Sequence, residues 1–572
     1  MYFLALAADY DGTLAEDGVV SEATLAALAR LKSTGRRAVL VTGRELADLQ
    51  SVCPDLSVFD RVVAENGALV YDPASKEEQL IAEPPPPIFV ERLVERRIAP
   101  LSVGRCIVAT WEPHETAVLE VIRDLGLELQ IIFNKGAVMV LPAGVNKASG
   151  LTVALRELDL SPHNVVAVGD AENDHAFLKL CGCSAAVANA LPLVKESADI
   201  VLAGARGAGV RELVARICQD DAAMVPAARH GIPLGTIEDG HELLIEPHRG
   251  SVLIAGQSGI GKSTLATAMT ERMAERGFQF CVFDPEGDYD ELEGAVSLGD
   301  AAAPPQDDEV LKLLGQADTS VVVNTLNFAL AERPTYFAKL LPRLAALRVR
   351  TGRPHWLIID EAHHLLPADR ADFRFLLPED LPAVVFITVH PEEVSVEVLE
   401  TVATVIAVGD KAPEVIASFC AGAGLSAPFT VPSPGDGEVV VWRCRSGAPP
   451  AVVQAFEPRQ AHKRHTRKYA AGDLGEEESF YFRGPHGALN LRAQNLIIFL
   501  QIAEGVDEAT WEHHRCAHDI SEWFREVIKD PELADEAAAI ERDRNLDARA
   551  SFRRIAEAVT RRYTAPASTR SR

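Results

Sequence analysis

The segment YFLALAADYDGT, residues 2–13, ends a continuous apolar run in two carboxylates. Residues 2–8 predict a strand that is buried on both faces, because nearly every position is apolar rather than every second one. Asp9 and Asp11 follow at the carboxyl end of this strand, where open α/β sheets place their sites. Gly12 allows the backbone to turn close to a bound anion. Two carboxylates at this spacing are common, so their meaning depends on what the rest of the chain supplies.

Further apolar runs predict that this strand belongs to a parallel sheet. The runs alternate with amphipathic segments such as residues 21–33, which we expect to be helices that cover both faces of the sheet. The strands predicted after the first one are residues 38–41, 61–64, 164–168 and 199–202. The alternation predicts an α/β fold with a Rossmann-like core.

Polar groups suited to phosphate and metal chemistry follow these strands. Thr42 ends the second strand and begins the sequence TGR, which offers a hydroxyl and backbone amides to a phosphate. The sequence GDAEND at residues 169–174 follows a later strand, and its carboxylates Asp170 and Asp174 suit Mg²⁺, which prefers oxygen ligands. Lys147 adds a fixed positive charge between these motifs.

In this order along the chain, the four motifs resemble those of the haloacid dehalogenase superfamily of phosphatases, over roughly residues 1–215. The resemblance implies that Asp9 is the nucleophile that forms an aspartyl-phosphate. It implies that Asp11 protonates the leaving oxygen and then activates water. Thr42 and Lys147 would hold the transferring phosphoryl oxygens. The implied Mg²⁺ ligands are Asp9, the Asp11 carbonyl and Asp170, with Asp174 supporting the metal or Lys147.

Four consecutive prolines, residues 84–87, open a segment that interrupts the predicted sheet. Its pattern predicts a helix at residues 88–97, a strand at 106–111, a helix near 116–124 and a pair of strands ending at Leu141. Such an insert, together with the sequence ENG at residues 65–67, resembles the Cof-type branch with an α/β cap, which contains many sugar-phosphate phosphatases. We expect the cap at residues 84–144 and the phosphatase core at residues 1–83 and 145–218.

A second α/β series begins near residue 230 and contains the glycine-rich sequence GQSGIGKST, residues 256–264. A predicted strand precedes this sequence and a predicted helix follows it, which is the context that a P-loop requires. Its amides would surround a phosphate at the helix N-terminus, while Lys262 reaches the β- and γ-phosphates and Ser263 ligates Mg²⁺. The predicted ATP-binding residues are Gly256, Gly259, Gly261, Lys262, Ser263, Thr264 and Asp360.

The sequence HWLIIDE, residues 355–361, predicts the strand that completes this second site. Asp360 would hold Mg²⁺ through water, and Glu361 would polarise the attacking water, which favours ATP hydrolysis over transfer to an acceptor. His363 and His364 are interpreted as polar residues after a strand rather than as metal ligands. The other strands of the series are predicted at residues 252–255, 278–283, 320–324, 384–388 and 404–408.

Residues 230–450 resemble the HerA/FtsK-type ring ATPases through this loop and through the sequences GTIEDG and DPEGDY at residues 235–240 and 284–289. Relatives usually end the strand after the catalytic glutamate with a polar sensor, commonly Gln. Here Thr388 and His390 stand in that place, so either could sense the γ-phosphate, or sensing has been lost. Candidate arginine fingers are Arg343, Arg348, Arg350 and Arg374.

The composition predicts a soluble, cytoplasmic protein of several domains. At about 100–200 residues per domain, 572 residues suggest three or four domains. The net charge of −27 argues against a chain-wide nucleic-acid surface but not against a local basic patch. Nine cysteines without regular spacing predict no disulfide framework. No apolar run is long enough to span a membrane, and the N-terminus lacks the basic region of a signal peptide.

The segment at residues 451–478 is predicted to be a charged linker, because basic residues at 459–468 are followed by acidic residues at 476–478. Such runs are usually solvated, so nucleic-acid contact is not the favoured interpretation. Residues 479–565 predict a mostly helical accessory domain. Its tryptophans and histidines could form a metal or ligand pocket, but the favoured interpretation places Trp511 and Trp523 in the core and His513, His514 and His518 on the surface.

These observations lead us to expect a Mg²⁺-dependent phosphatase of a small phosphorylated metabolite, such as a sugar phosphate, fused to a domain that binds and hydrolyses ATP. One alternative is nucleic-acid processing by a translocase or an end-processing phosphatase and kinase. The net charge, Glu361 and the cap argue against it. A second alternative is a phosphatase regulated by a non-catalytic ATP-sensing module. A homo-oligomer formed through the ATPase domain is a further hypothesis.

Overall fold

The computed structural model describes residues 1–290, 292–368, 383–459, 474, 479–487, 489–528 and 530–563. Two large sheets, a smaller sheet and a helical C-terminal region confirm the α/β multidomain fold that the sequence predicts. Within these residues, none of the helices combines the length and the apolar character that a membrane span needs. Most of the predicted charged linker lies outside the described residues.

The N-terminal sheet has eight strands, and the strand of the opening segment lies near its centre. In spatial order the strands are Ile200–Val201, Cys183–Ala186, Val165–Gly169, Ala5–Asp9, Arg37–Val41, Arg61–Ala64, Leu69–Tyr71 and Glu78–Leu80. The first six are parallel, and the last two are antiparallel. The helices around it are Glu22–Ser33, Leu46–Val52, Lys147–Glu157, His175–Leu180, Pro192–Ser197 and Arg206–Gln219. All five predicted strands are present, since their apolar side chains form one buried core.

The insert between the two halves of this sheet is a small α/β cap. Its antiparallel sheet has the order Leu129–Asn134, Ala137–Pro142, Val108–Trp111 and Ser102–Val103, and its helices are Pro87–Glu95 and Glu115–Leu125. One face of the sheet packs on these helices through residues such as Val108 and Val140. The other face packs Met139 and Leu141 with Ala68 of the core. Because Ala68 follows the carboxyl end of a core strand, the cap lies over the edge of the sheet that carries the site.

The second large sheet has eleven strands. Their order is Glu242–Ile245, Ile232–Thr236, Ala451–Ala455, Glu438–Trp442, Val402–Val408, Ser251–Ala255, Val384–Thr388, Trp356–Ile359, Phe280–Asp284, Ser320–Asn324 and Ala295–Leu298. The last seven are parallel and include all six predicted strands. The main helices are Lys262–Glu275, Asp307–Gly315, Arg333–Thr351, Ala362–Leu365, Val396–Leu399 and Ala412–Ala423.

The four antiparallel strands at one edge of this sheet have no counterpart in the sequence prediction. One of them, Ala451–Ala455, falls within the segment predicted to be a linker. It pairs with Glu438–Trp442 on one side and with Ile232–Thr236 on the other. The ATPase sheet therefore extends beyond the predicted boundary at residue 450, because this strand is hydrogen-bonded to a strand of the sheet on each side.

The C-terminal region packs around its own apolar core. It contains the hairpin Phe480–Phe482 and Leu491–Ala493 and the helices Leu496–Gly505, Glu508–Ala517, Asp519–Glu526, Pro531–Arg542 and Ala548–Tyr563. Trp511 and Trp523 are buried in this core, as predicted. The prediction of a surface position is wrong for His514, which is buried because it accepts the Arg483 N–H and bonds to Asp519 at 2.6 Å.

The two large sheets meet through a buried cluster of rings. His163 lies two residues before a strand of the N-terminal sheet, and Phe278 lies two residues before a strand of the second sheet. Their rings stack with centroids 4.0 Å apart, and His230 and His355 pack around the pair. Tyr2 bonds to His230 at 2.9 Å. Burial lowers the pKa of His163 and of His230 to about 4, and lowers that of His355 well below its ordinary range.

The histidine cluster predicts a loss of stability in mild acid. An exposed histidine in the unfolded chain has a pKa of about 6.5, so between that pH and about 4 only the unfolded state takes up the proton. Stability therefore falls as the pH falls through this window, by about 2 kcal/mol per histidine between pH 6.5 and 5. His163→Phe keeps an aromatic ring on Phe278 and should remove one such contribution.

Urea denaturation at pH 7 and pH 5 measures this effect. We expect the midpoint of His163→Phe to fall less between the two pH values than that of the unmodified chain. His241 is exposed, so His241→Phe is a matched control. Its urea midpoint should fall between pH 7 and pH 5 by the same amount as that of the unmodified chain. An equal fall in all three proteins would contradict the role of the cluster.

Candidate active sites

The first candidate site lies at the carboxyl edge of the N-terminal sheet, where the sequence places it. Asp9 ends its strand, and its neighbour in register, Val41, is followed directly by Thr42. Asp9 and Thr42 are both buried. The two residues are close because parallel neighbouring strands end at the same edge.

Lys147 connects the carboxylates of this site. It begins the helix Lys147–Glu157, whose N-terminus is capped by the side chain of Asn146. Its Nζ lies 2.6 Å from Asp9 Oδ1 and 2.5 Å from Asp174 Oδ1, and its side chain is 1% exposed. The structure thus brings together three residues that are far apart in the sequence.

The electrostatics of the cluster follow from burial and from crowding of like charges. Burial, followed by the neighbouring carboxylate of Asp174, raises the pKa of Asp9 to about 7. Burial also raises the pKa of Asp170. Burial opposes the charge of Lys147, but Asp174 and Asp9 outweigh it and raise the pKa of Lys147. The lysine therefore stays charged and offsets part of the repulsion.

Three carboxylates, those of Asp9, Asp170 and Asp174, each offer an oxygen within 4.8 Å of the others. Oxygen donors at this spacing fit a hard cation such as Mg²⁺. Asp174 Oδ2 also accepts the N–H groups of Asp170 and Ala171, at 2.8 and 2.9 Å, so Asp174 fixes both the loop and Lys147. Gly12 has a φ of +85°, and a Cβ there would lie 2.5 Å from Asp170 Oδ2. Only glycine leaves this approach open.

Asp11 is paired with an arginine that the sequence analysis treated only as part of a phosphate loop. Arg44 donates from Nε and Nη2 to the two oxygens of Asp11, at 2.7 and 2.8 Å. The Asp11 side chain is 45% exposed. To give a proton to a substrate, Asp11 has to turn away from Arg44.

The cap contributes a cation that the sequence analysis missed. Lys135, at the tip of the cap hairpin, places Nζ 2.9 Å from Asp170 Oδ2. No periodicity or motif marks this lysine, because only the packing of the cap on the core brings it to the site.

Glu65 joins the cap to the core. Its carboxylate is buried and accepts the backbone N–H groups of Arg105, Cys106 and Ile107, at 2.8, 2.7 and 3.0 Å. Glu65 has a φ of +50°, which aims its side chain at the cap from the end of a core strand. The sequence ENG indicated the branch of the family, but not this contact.

The second candidate site is the phosphate loop of the ATPase sheet. The loop follows the strand Ser251–Ala255 and ends at Gly261, whose φ of +108° turns the chain into the helix Lys262–Glu275. Lys262 Nζ donates to the carbonyl of Gln257 at 2.8 Å, and the lysine is buried. The Lys262 ammonium is thus held over the glycine-rich loop, at a helix N-terminus that suits an anion.

Asp360 and Glu361 directly follow the strand Trp356–Ile359. One strand, Val384–Thr388, separates it from the P-loop strand Ser251–Ala255. Burial, together with the charge of Glu361, raises the pKa of Asp360 well above its ordinary value. The Glu361 N–H donates to Asp360 Oδ1 at 2.9 Å, and Glu361 has a φ of +43°. A side chain held in this sparsely populated backbone region is typical of a functional position.

His363 links this glutamate to the strand predicted to carry the sensor. His363 is buried, and its Nδ1 lies 3.0 Å from Thr388 Oγ1 and 3.4 Å from Glu361 Oε2. Burial lowers the pKa of His363 to about 3, so the ring is neutral. Thr388 is in register with Ala255 at the start of the P-loop. Of the two sensor candidates, Thr388 therefore lies between the loop and Glu361, whereas His390 is half-exposed.

The candidate arginine fingers have different surroundings. Arg343 pairs with Asp307 and Asp308 of a neighbouring helix, and Arg348 donates to the carbonyl of His355. Arg350 is exposed, and Arg374 lies outside the described residues. None of these contacts identifies a finger.

The sequence DPEGDY has a structural explanation. The buried carboxylate of Asp284 accepts the N–H groups of Glu286, Gly287, Asp288 and Tyr289 at 2.7 to 3.2 Å. Burial raises the pKa of Asp284 to about 7. The aspartate closes the turn that follows the strand Phe280–Asp284.

Comparison with known proteins finds a family match for each of the two regions that carry a candidate site. A family model described as haloacid dehalogenase-like hydrolase matches residues 6–96 and 115–214. The phosphoglycolate phosphatase of Methanothermobacter thermautotrophicus is 30% identical over 224 residues, which cover 37% of this chain and 97% of that protein. The chain belongs to the haloacid dehalogenase-like hydrolase family. A second model, the AAA ATPase domain, matches residues 241–387, so this hydrolase also carries an ATPase domain.

Other relatives of the hydrolase cover the same part of the chain. Phosphoglycolate phosphatase 2 of Saccharolobus solfataricus is 30% identical over 223 residues, 37% of this chain and 92% of that protein. A solved haloacid dehalogenase-like hydrolase from Bacteroides thetaiotaomicron is 20% identical, covers 38% of this chain and 99% of that chain, and has a TM-score of 0.33. The HerA/FtsK-type assignment of the ATPase domain is finer than these matches and stays a prediction.

The Glu65 contact predicts a local effect on the cap of this hydrolase. Glu65→Gln replaces one accepting oxygen with an NH₂ group, which faces backbone donors and cannot accept from them. We expect the amides of residues 105–107 to exchange hydrogen faster, with a destabilisation of about 1–3 kcal/mol. Hydrogen exchange followed by mass spectrometry measures this, and the exposed Glu77→Gln is the control. Unchanged exchange at these amides would show that the carboxylate does not hold the cap.

Proposed function

We propose that this hydrolase is a Mg²⁺-dependent phosphatase that forms an aspartyl-phosphate on Asp9. The observation that carries the proposal is the buried lysine, Lys147, which lies between Asp9 and Asp174 beside a third carboxylate, Asp170. The site combines a nucleophile, a fixed positive charge for phosphoryl oxygens and oxygen donors for a cation.

Mg²⁺ would be held by Asp9, Asp170 and the Asp11 carbonyl, and when bound it would neutralise charge on the phosphoryl group and orient it. Asp9 attacks phosphorus while Asp11 gives its proton to the leaving oxygen. Asp11 then takes a proton from the water that hydrolyses the aspartyl-phosphate. Lys147 and the Thr42 hydroxyl hold the phosphoryl oxygens, and Asp174 keeps Lys147 in place.

We propose a small phosphomonoester as the substrate. The relatives named phosphoglycolate phosphatase support this class, and phosphoglycolate is the first compound to test, followed by sugar phosphates. The cap supports a small substrate too, because it packs on the core at the edge of the sheet that carries Asp9. A duplex end would have to pass this cap, so nucleic-acid processing is not the function that we propose.

For the AAA domain we propose ATP hydrolysis with Lys262 on the phosphates, Ser263 and Asp360 on Mg²⁺, and Glu361 as the base. Thr388 bonds to His363 at 3.0 Å and ends the strand between the P-loop strand and the strand that precedes Glu361, which supports Thr388 as the group that senses the γ-phosphate. A catalytic domain would hydrolyse ATP, whereas a module that only senses ATP would bind it without turnover.

Asp9→Asn tests the phosphatase proposal. The amide is a poor nucleophile, so we expect phosphate release from phosphoglycolate to fall by at least about 100-fold while ATP hydrolysis continues. A malachite-green assay of the full chain with Mg²⁺ measures the rate. Asp55→Asn, at an exposed position, is the control. Full phosphatase activity in Asp9→Asn would overturn the assignment.

Glu361→Gln tests the ATPase proposal. Loss of the base should lower ATP turnover by about 100-fold or more and leave ATP binding intact. Turnover and nucleotide binding are measured on the same preparations, with the exposed Glu400→Gln as the control. A chain that binds ATP but shows no turnover even without substitution would support the sensing alternative instead.

A further inference from the structure

Lys135 occupies an unusual backbone position at the tip of the cap hairpin. It joins the strands Leu129–Asn134 and Ala137–Pro142 together with Gly136. Lys135 has a φ of +49° and Gly136 a φ of +85°, the pattern of a two-residue turn that favours asparagine and glycine at both places. A lysine pays strain there that those residues avoid. The backbone does not explain why a lysine stands at this position, so we look to the contacts of its side chain.

The ammonium group of Lys135 lies within hydrogen-bond distance of two of the oxygens expected to hold Mg²⁺. Nζ is 2.9 Å from Asp170 Oδ2 and 3.5 Å from the Asp11 carbonyl oxygen. It is also 3.1 Å from the position that a Cβ would take on Gly12. From the other side, Asn189 Nδ2 donates to the Gly12 carbonyl at 2.8 Å. The lysine thus fills the open side of the carboxylate cluster.

We propose that Lys135 is a tethered cation that holds the metal site in the metal-free protein, and that Mg²⁺ displaces it and so releases the cap hairpin. The inference rests on the metal site of the proposed function. Mg²⁺ binds oxygen at 2.0–2.1 Å in a near-ideal octahedron. An ammonium group beside Asp170 Oδ2 and the Asp11 carbonyl, where the cation would bind, takes up that space and repels the cation.

Charge balance leads to the same conclusion. Three carboxylates, those of Asp9, Asp170 and Asp174, face the two ammonium groups of Lys135 and Lys147. Exchange of Lys135 for Mg²⁺ makes the cluster neutral, whereas adding Mg²⁺ beside Lys135 leaves an excess positive charge. Lys135 can leave because its side chain is 48% exposed, while that of Lys147 is 1% exposed. Metal binding and the position of the cap are then linked.

Metal affinity tests this proposal without using catalytic activity. Free Mn²⁺, an oxygen-binding stand-in for Mg²⁺, is measured by electron paramagnetic resonance during titration of the nucleotide-free full chain. Lys135→Met removes the competing charge and should bind Mn²⁺ roughly tenfold more tightly or better. Lys135→Arg keeps the charge and should resemble the unmodified chain. Lys76→Met is the matched control, because Lys76 also has a positive φ in a hairpin turn but is exposed.

A second readout follows the hairpin itself. Mg²⁺ should speed hydrogen exchange of the amides at residues 134–137 in the unmodified chain, while in Lys135→Met exchange should be fast with or without Mg²⁺. Unchanged Mn²⁺ affinity in Lys135→Met, with Asp170→Asn still abolishing binding, would overturn this inference and leave the metal site standing. Equal Mn²⁺ binding by Asp170→Asn and the unmodified chain would overturn the metal site and this inference together.

Discussion

The buried ammonium group of Lys147 is the interaction on which the phosphatase site depends. Parallel strands bring their carboxyl ends together, and here that places Asp9 and Asp170 at one edge with Asp174 behind them. Without a counter-charge these groups would repel one another in a buried setting. Removing one partner of a buried ion pair costs about 3–5 kcal/mol, because the other charge is left uncompensated. The same pairing that stabilises the edge therefore also keeps a positive charge where a phosphoryl group would bind.

The cap is attached to this site by charge at two points. Glu65 of the core reaches up to three cap amides, and Lys135 of the cap reaches down to Asp170. The first contact is buried and made to backbone, so it acts as a fixed anchor. The second contact is half-exposed and is made to Asp170, which is also a proposed Mg²⁺ ligand. It is therefore the contact that can open. If the second contact opens, Glu65 and the packing of Met139 and Leu141 on Ala68 still hold the cap to the core.

Residue patterns predict the two parallel sheets and most of the two sites, but not what joins them. Continuous apolar runs such as residues 61–64 predict buried strands, and each motif then lies at the end of a strand. The antiparallel strand Ala451–Ala455 is missed because charged and proline residues surround it in the sequence. It forms a strand because it pairs with a neighbouring strand on each side. Lys135 is missed because a lone lysine carries no periodic signal. For His363 only the contact with Thr388 is missed, because nothing in the sequence places these two residues side by side. Their roles arise from packing between segments distant in sequence.

The junction of the two large sheets constrains how the sites can influence each other. Tyr2 and His163 precede strands of the N-terminal sheet, and Phe278 and His355 precede strands of the ATPase sheet. The domains therefore meet at the amino-terminal edges of their strands, whereas both sites lie at carboxyl edges. A phosphorylated ligand released at one site has no short path to the other. Coupling between ATP and phosphatase activity through the described residues would have to cross this junction, where the rings pack closely and Arg353 also donates to the Asp159 carbonyl at 3.0 Å.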